Sequence, residues 1–219
     1  MEKNKPKLVF IHLQKTGGNT FVDLLKQNIY NEEDIYFDKT DVLNLEEHVV
    51  IGVSPKNNII VNYQNQPFIC GHVRASKYKY SNIKMITWVR DPVERIISHY
   101  YYYRQKINSG REKLHETVER LYTDCTLYDF CEIYNNYMSK IINCGLSNFK
   151  FIGIVENYEE SLKQFEKIFE VDLGERLEPK NVNPKKPIVS EYDKEQMRKY
   201  FEKDYKLYEK ALKRHEKFK

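Results

Sequence analysis

Three short apolar runs, each followed by a helix-opening signal, set the limits on this fold. They are residues 8–12 (LVFIH), 83–89 (IKMITWV) and 151–155 (FIGIV). Runs of this length rich in branched and aromatic side chains read as buried strands. The first leads through a glycine-containing loop into a helix over about 18–27, with Phe21, Leu24 and Leu25 on one face. After the second, Asp91 is placed as an N-cap and Pro92 as the first helical residue, where a missing N–H costs nothing. That helix continues through Val93, Ile96, Ile97 and Tyr100. After the third, Asn157 and Glu160 give a capping-box-like start to a helix carrying Leu162, Phe165 and Phe169. Alternating strands and helices predict an α/β sheet protein.

The remaining segments are less marked. Helices are expected between residues 111 and 143. One long helix is expected from near Ser190, with Met197, Phe201, Tyr205, Tyr208 and Leu212 at helical spacing. Residues 28–66 carry the weakest pattern, with room for one or two short strands such as 58–61. No repeat or linker interrupts the chain, so residues 1–219 are read as a single domain, long enough for its own core.

Composition excludes several classes. A hydrophobic fraction of 41% with 31% charged residues fits a folded globular protein rather than a disordered one. The net charge of +4 permits an anionic ligand but does not call for nucleic acid. The basic stretch over 210–219 reads as a solvated helix end. Cys70, Cys125, Cys131 and Cys144 form no C-x-x-C pair and no zinc spacing, so no metal site and no disulfide framework is expected. The first seven residues are polar and no 18-residue apolar run occurs, so a cytoplasmic protein without a membrane span is expected.

Two strand ends carry candidate chemistry. The loop Gln14-Lys15-Thr16-Gly17-Gly18-Asn19-Thr20 joins the first strand to the first helix. Its glycines let N–H groups converge on an anion, and the helix N-terminus adds partial positive charge. Lys15 supplies a full charge, and Thr16, Asn19 and Thr20 supply short side-chain donors. The pattern is not a Walker A loop, because here the lysine precedes the glycines. The plain alternative is a strand–turn–helix junction with a solvent-facing lysine. The second site is Arg90 at the end of the strongest strand, followed by Asp91-Pro92-Val93-Glu94-Arg95-Ile96-Ile97-Ser98. Open α/β sheets place ligands at such strand ends. A planar guanidinium and the Ser98 hydroxyl two turns on suit one phosphate. The plain alternative pairs Arg90 with Asp91 or Glu94.

Taken together, these elements are recognisable. HLQKTGGNTF (12–21) resembles the 5′-phosphosulfate loop of sulfotransferases, and VRDPVERIISHYYYYR (89–104) resembles their 3′-phosphate segment. The spelling is nearest to the carbohydrate sulfotransferases, in particular the heparan sulfate and uronyl 2-O-sulfotransferase group. CGHV (70–73), GIVENYEESLKQFEKIF (153–169), NVNPKK (181–186) and the segment around 204–208 extend the likeness over most of the chain.

The resemblance implies a P-loop-like three-layer fold with a central parallel sheet flanked by helices. It implies 3′-phosphoadenosine-5′-phosphosulfate as donor, no metal, and a glycan or other hydroxyl-bearing acceptor. Carried over residue by residue, the donor contacts are Lys15, Thr16, Gly17, Gly18, Asn19, Thr20, Arg90 and Ser98. Lys185 and Lys186 stand for the basic loop that covers the nucleotide. His72 corresponds to the second histidine of a His-Gly-His element, and Cys70 replaces the first. The resemblance makes His72 the base, because neutral imidazole titrates near working pH. Lys15 is placed on the bridging oxygen, where charge builds. His12 is expected to orient the loop, His48, His115 and His215 to lie at the surface, and Asn136 and Ser139 to stand near the acceptor. A tyrosyl or small-molecule hydroxyl is an alternative acceptor. A nucleotide kinase or other P-loop phosphotransferase is an alternative activity, but it needs a lysine after the glycines and an acidic metal ligand, and neither is evident.

Overall fold

The computed structural model describes residues 5–38, 66–110, 116–178 and 187–218. Five strands, β1 (Leu8–Ile11), β2 (Ile35–Asp38), β3 (Phe68–Gly71), β4 (Lys84–Val89) and β5 (Phe149–Ile154), form one sheet in the order β2-β3-β1-β4-β5. Every neighbouring pair is parallel. A parallel sheet needs cover on both faces, and the alternation within β1 shows how that is met. Leu8 and Phe10 point into a core with Phe21, Leu24 and Leu25 of α1 (Gly18–Asn28) and Leu162 and Phe165 of α6 (Tyr158–Phe169). Val9 and Ile11 point into the opposite core. There they meet Val93, Ile96, Ile97 and Tyr100 of α2 (Pro92–Asn108), α4 (Leu127–Ile133), α5 (Tyr137–Ile141), α7 (Glu191–Arg198) and α8 (Glu202–Glu216). Burying one large apolar side chain contributes about 1.5–3 kcal/mol. The three-layer arrangement therefore follows from the two-residue period of the strands. A short α3 (Glu116–Thr123) completes the helices among the described residues. No described helix is long and apolar enough to cross a membrane.

The three strands read from the sequence are present, as is the Asp91–Pro92 helix start: the Asp91 carboxylate accepts from Val93 N at 2.9 Å and Glu94 N at 3.0 Å. Three expectations differ from the structure. Asn157 makes no side-chain cap, because a 3-10 turn over Val155–Asn157 leads directly into α6. The helix begun by Ser190 ends at Arg198, and a 3-10 turn at Lys199–Phe201 separates it from α8. Phe201 and Tyr208 still reach the core across that break. His215 is only 2% exposed, with its Nε2 3.0 Å from the Ser161 hydroxyl, so it is a core residue and not a surface one. The strand expected at 58–61, together with His48 and His115, lies outside the described residues.

Candidate active site

β1 occupies the centre of the sheet, and β3 and β4 flank it. The chain leaves β1 towards α1 on one face and leaves β4 towards α2 on the other. Such a divergence opens a crevice at the strands' carboxyl ends. The glycine loop, His72 and Arg90 all stand at this rim, from three adjacent strands.

The loop is shaped by two left-handed residues, Lys15 (φ 65) and Gly17 (φ 73). The left-handed conformation suits glycine but costs a lysine about 1–2 kcal/mol. The Thr16 hydroxyl is buried and donates to the Leu13 carbonyl at 2.8 Å, which pins the turn. Thr16 therefore holds the loop together from inside rather than presenting its hydroxyl outward. Gly17 caps α1 without a side chain, and the first N–H groups of a helix have no intrahelical acceptor. Gly18 opens the helix with the His12 imidazole packed where a β-carbon would stand. Asn19 is exposed and its side chain has no hydrogen-bond partner among the described residues, while Thr20 is buried. This is a cradle of open backbone donors at the positive end of a helix dipole, suited to a phosphate-like anion.

Arg90 is half-buried, and its Nη1 donates to the Lys15 carbonyl at 3.4 Å. The guanidinium thus lies against the loop, and Glu94 stays 4.0 Å from it. Glu94 is nearer to Lys194, at 3.0 Å. Ser98 is half-buried on α2, and its hydroxyl has no partner among the described residues. The turn that aims Arg90 is tied down from a distance. Asp91 N donates to Glu156 at 2.9 Å, the Tyr205 hydroxyl donates to the Asp91 carboxylate at 3.1 Å, and the Tyr208 hydroxyl donates to Glu156 at 2.8 Å.

The Lys15 ammonium sits 3.4 Å over the centre of the Tyr102 ring, and Lys106 approaches the same ring at 4.8 Å. Burial first, then the positive charges of Arg90 and Lys106, lower its pKa to about 8. His72 follows Gly71, which passes so close to the Asp38 carbonyl that no side chain fits there. Its Nδ1 lies 2.5 Å from the His12 carbonyl oxygen, the geometry of a donated Nδ1–H. The neutral tautomer then leaves Nε2 as an acceptor. Burial pulls the His72 pKa below the usual histidine value, against the opposing effect of that hydrogen bond. Cys70 is a buried core residue packed with Phe10 and Phe68, its thiol pushed up to about 12 by burial. It cannot stand in for a second titrating histidine.

Lys185 and Lys186 lie outside the described residues. Asn136 and Ser139 serve the scaffold instead of the rim. The Asn136 side-chain oxygen Oδ1 accepts from Lys203 N at 2.9 Å, and Ser139 donates to Asp204 through its N–H and its hydroxyl, at 2.7 and 2.6 Å. The sequence reading gave Tyr205 and Tyr208 only as helix positions and assigned neither them nor Tyr102 and Lys106 a part in holding Lys15 or Arg90. Tyr102 had a local signal, since it lies one turn beyond Ser98 on the same helix face. The Tyr205–Asp91 contact joins residues 114 apart and has none.

Comparison with known proteins places this rim in context. One curated protein similar to this chain is heparan sulfate 2-O-sulfotransferase hst-2 of Caenorhabditis elegans, 26% identical over 138 residues. That alignment spans 55% of this chain and 42% of the relative's length, less than half of that protein. Among solved structures, a sulfotransferase from Alicyclobacillus acidocaldarius aligns over 91% of this chain and 92% of its own, at 12% identity and a TM-score of 0.43. Mouse sulfotransferase SULT7A1 complexed with PAP aligns over 91% and 65%, at 14% identity and a TM-score of 0.40. The sulfotransferase family model matches residues 1–211, nearly the whole sequence, and the chain belongs to that family.

Proposed function

We propose that this protein transfers a sulfuryl group from 3′-phosphoadenosine-5′-phosphosulfate to a hydroxyl of a carbohydrate. The observation that carries the reading is the meeting of Arg90 with the Lys15–Gly18 loop across two adjacent strands. One doubly phosphorylated adenosine needs donors for both of its ends in one crevice, and this rim supplies them. Backbone N–H groups at Gly18, Asn19 and Thr20, with Lys15, suit the 5′ end. Arg90 and Ser98 suit the 3′-phosphate, through a planar fork and a hydroxyl. Family membership supports the same donor.

In the reaction, the acceptor hydroxyl proton passes to Nε2 of His72 while the acceptor oxygen bonds to sulfur. The bond from sulfur to the phosphate oxygen breaks, and the Lys15 ammonium neutralises the charge left on that oxygen. Fixed cations aimed at developing charge supply a large share of such rates. A glycan acceptor is supported by the heparan sulfate named for the curated relative.

Calorimetry with 3′-phosphoadenosine-5′-phosphate against ATP tests the donor site. Binding of the former at least about tenfold tighter is the expected result, and preference for ATP favours a phosphotransferase. A screen with labelled donor then ranks glycan, tyrosyl and small-molecule hydroxyls.

A further inference from the structure

His12 was expected only to orient the loop, yet three contacts converge on it. Its ring is stacked between Phe10, at 5.0 Å, and His72, at 4.5 Å. Its edge fills the space beside Gly18 that any β-carbon would occupy. Its carbonyl accepts the Nδ1–H of His72. One residue therefore touches both the N-terminus of α1, where the donor's 5′ end is placed, and the imidazole assigned as base.

We infer that the His12 ring is a positioning residue that locks the orientation of His72 and keeps water from it, and so couples the base to the donor loop. This rests on the reading of His72 given above. The carbonyl alone fixes which nitrogen of His72 carries the proton, but one hydrogen bond leaves the ring free to swing about it. The stacked face removes that freedom, and its flat area shields one side of His72 from solvent.

Electrostatics agree with a ring that acts by packing rather than by charge. Burial, and then the neighbouring His72, hold the His12 pKa well below the usual histidine value, so His12 stays neutral at working pH. The other titratable groups around His72 come from three elements. His99 on α2 is within electrostatic reach of both His72 and Lys15 and is itself buried and neutral. Lys15 stands on the loop, and Asp38 at the end of β2 is paired with Lys77 at 2.5 Å. His12 is the aromatic ring stacked on His72 among the described residues.

The test compares His12→Ala, His12→Phe and His72→Ala in the intact protein, using turnover across pH and calorimetry with 3′-phosphoadenosine-5′-phosphate. His12→Ala is expected to lower kcat by about tenfold or more, a part of the ~100- to 10,000-fold attributed to a positioned base. Its donor KM and its affinity for 3′-phosphoadenosine-5′-phosphate should change by less than about threefold. Water reaching His72 relieves its desolvation, so the acidic limb of the pH profile moves up toward ~6.5, the ordinary histidine value. His12→Phe keeps a flat ring and is expected to restore the limb and most of kcat.

Two results overturn the proposal: His12→Ala with wild-type turnover and an unmoved limb, or His12→Phe as impaired as His12→Ala. Should His12→Ala not fold, His12→Asn, which leaves the stacked area empty, takes its place with the same expected outcomes. An active His72→Ala instead overturns the base assignment, and the role of His12 with it. An inactive His72→Ala beside a wild-type His12→Ala removes the His12 proposal alone.

Discussion

The two strand ends that face each other across the crevice are built in opposite ways. The loop after β1 is held by fewer bonds: one buried hydroxyl bond from Thr16, one long bond from Arg90 to the Lys15 carbonyl, the Lys15 contact with Tyr102 and the packing of His12 against Gly18. The turn after β4 is held by much: Asp91 caps α2, binds Glu156 through its N–H and accepts from Tyr205, while Tyr208 secures Glu156. The first region leaves its donors open and the second has most of its own satisfied. Substitution of the Lys15 side chain should therefore cost activity with little stability, and substitutions in the turn should cost stability.

The largest effects are expected in the loop and at His72. Lys15→Ala and His72→Ala should each lower kcat by at least about 100-fold, with a melting temperature within about 2 °C of wild type, as expected for changes of well under 1 kcal/mol. Calorimetry and steady-state kinetics on the same preparations check both halves, and a large loss of stability would erase the contrast. Asp91→Ala comes next. Losing a cap costs about 1 kcal/mol, and stranding the Tyr205 hydroxyl adds about as much again. Denaturant titration should therefore show a loss of about 2 kcal/mol.

Activity should also fall at both ends of the pH range, by about tenfold per unit beyond each limb. As the proposed base His72 has to be neutral, and its pKa lies below the ordinary value, so the acidic limb should lie below ~6.5. In the proposed role Lys15 has to be charged, and that charge is lost as pH rises through about 8. In Lys15→Arg the alkaline limb should vanish, since guanidinium stays protonated. An alkaline limb that persists at the same pH in that variant assigns it to another group. The smallest effect is expected from Tyr205→Phe, about 1 kcal/mol or less in stability with turnover near wild type, again read by denaturant titration.

What was legible in the sequence follows the same division. The loop and the Asp91–Pro92 start are local patterns: glycine, lysine, aspartate and proline at fixed offsets have direct backbone consequences. The outer strands were harder. β2 carries Ile-Tyr-Phe-Asp with three of four residues partly or well exposed, so it shows no continuous apolar run. β3 supplies only Phe68, Ile69 and Cys70 before Gly71 turns away. The break between α7 and α8 leaves no mark in the apolar pattern, because Met197, Phe201 and Tyr208 keep helical spacing across it. The roles of Asn136 and Ser139 depend on groups 65 or more residues away: backbone N–H groups of Lys203 and Asp204 for the first, the Asp204 carboxylate for the second. Asp204 is 0% exposed and accepts from Met138 N and Ser139 N, a contact that only tertiary structure creates.

The central place of β1 has an evolutionary corollary. Everything assigned to chemistry hangs from the inner three strands, whereas β2 and β5 form the margins of the sheet. Insertions or additional segments joined to the outer edges of those margins, away from Asp38 and Glu156, would lengthen the protein without disturbing the spacing of the reactive groups. An architecture of this kind can acquire new surfaces at its edges while keeping its middle unchanged.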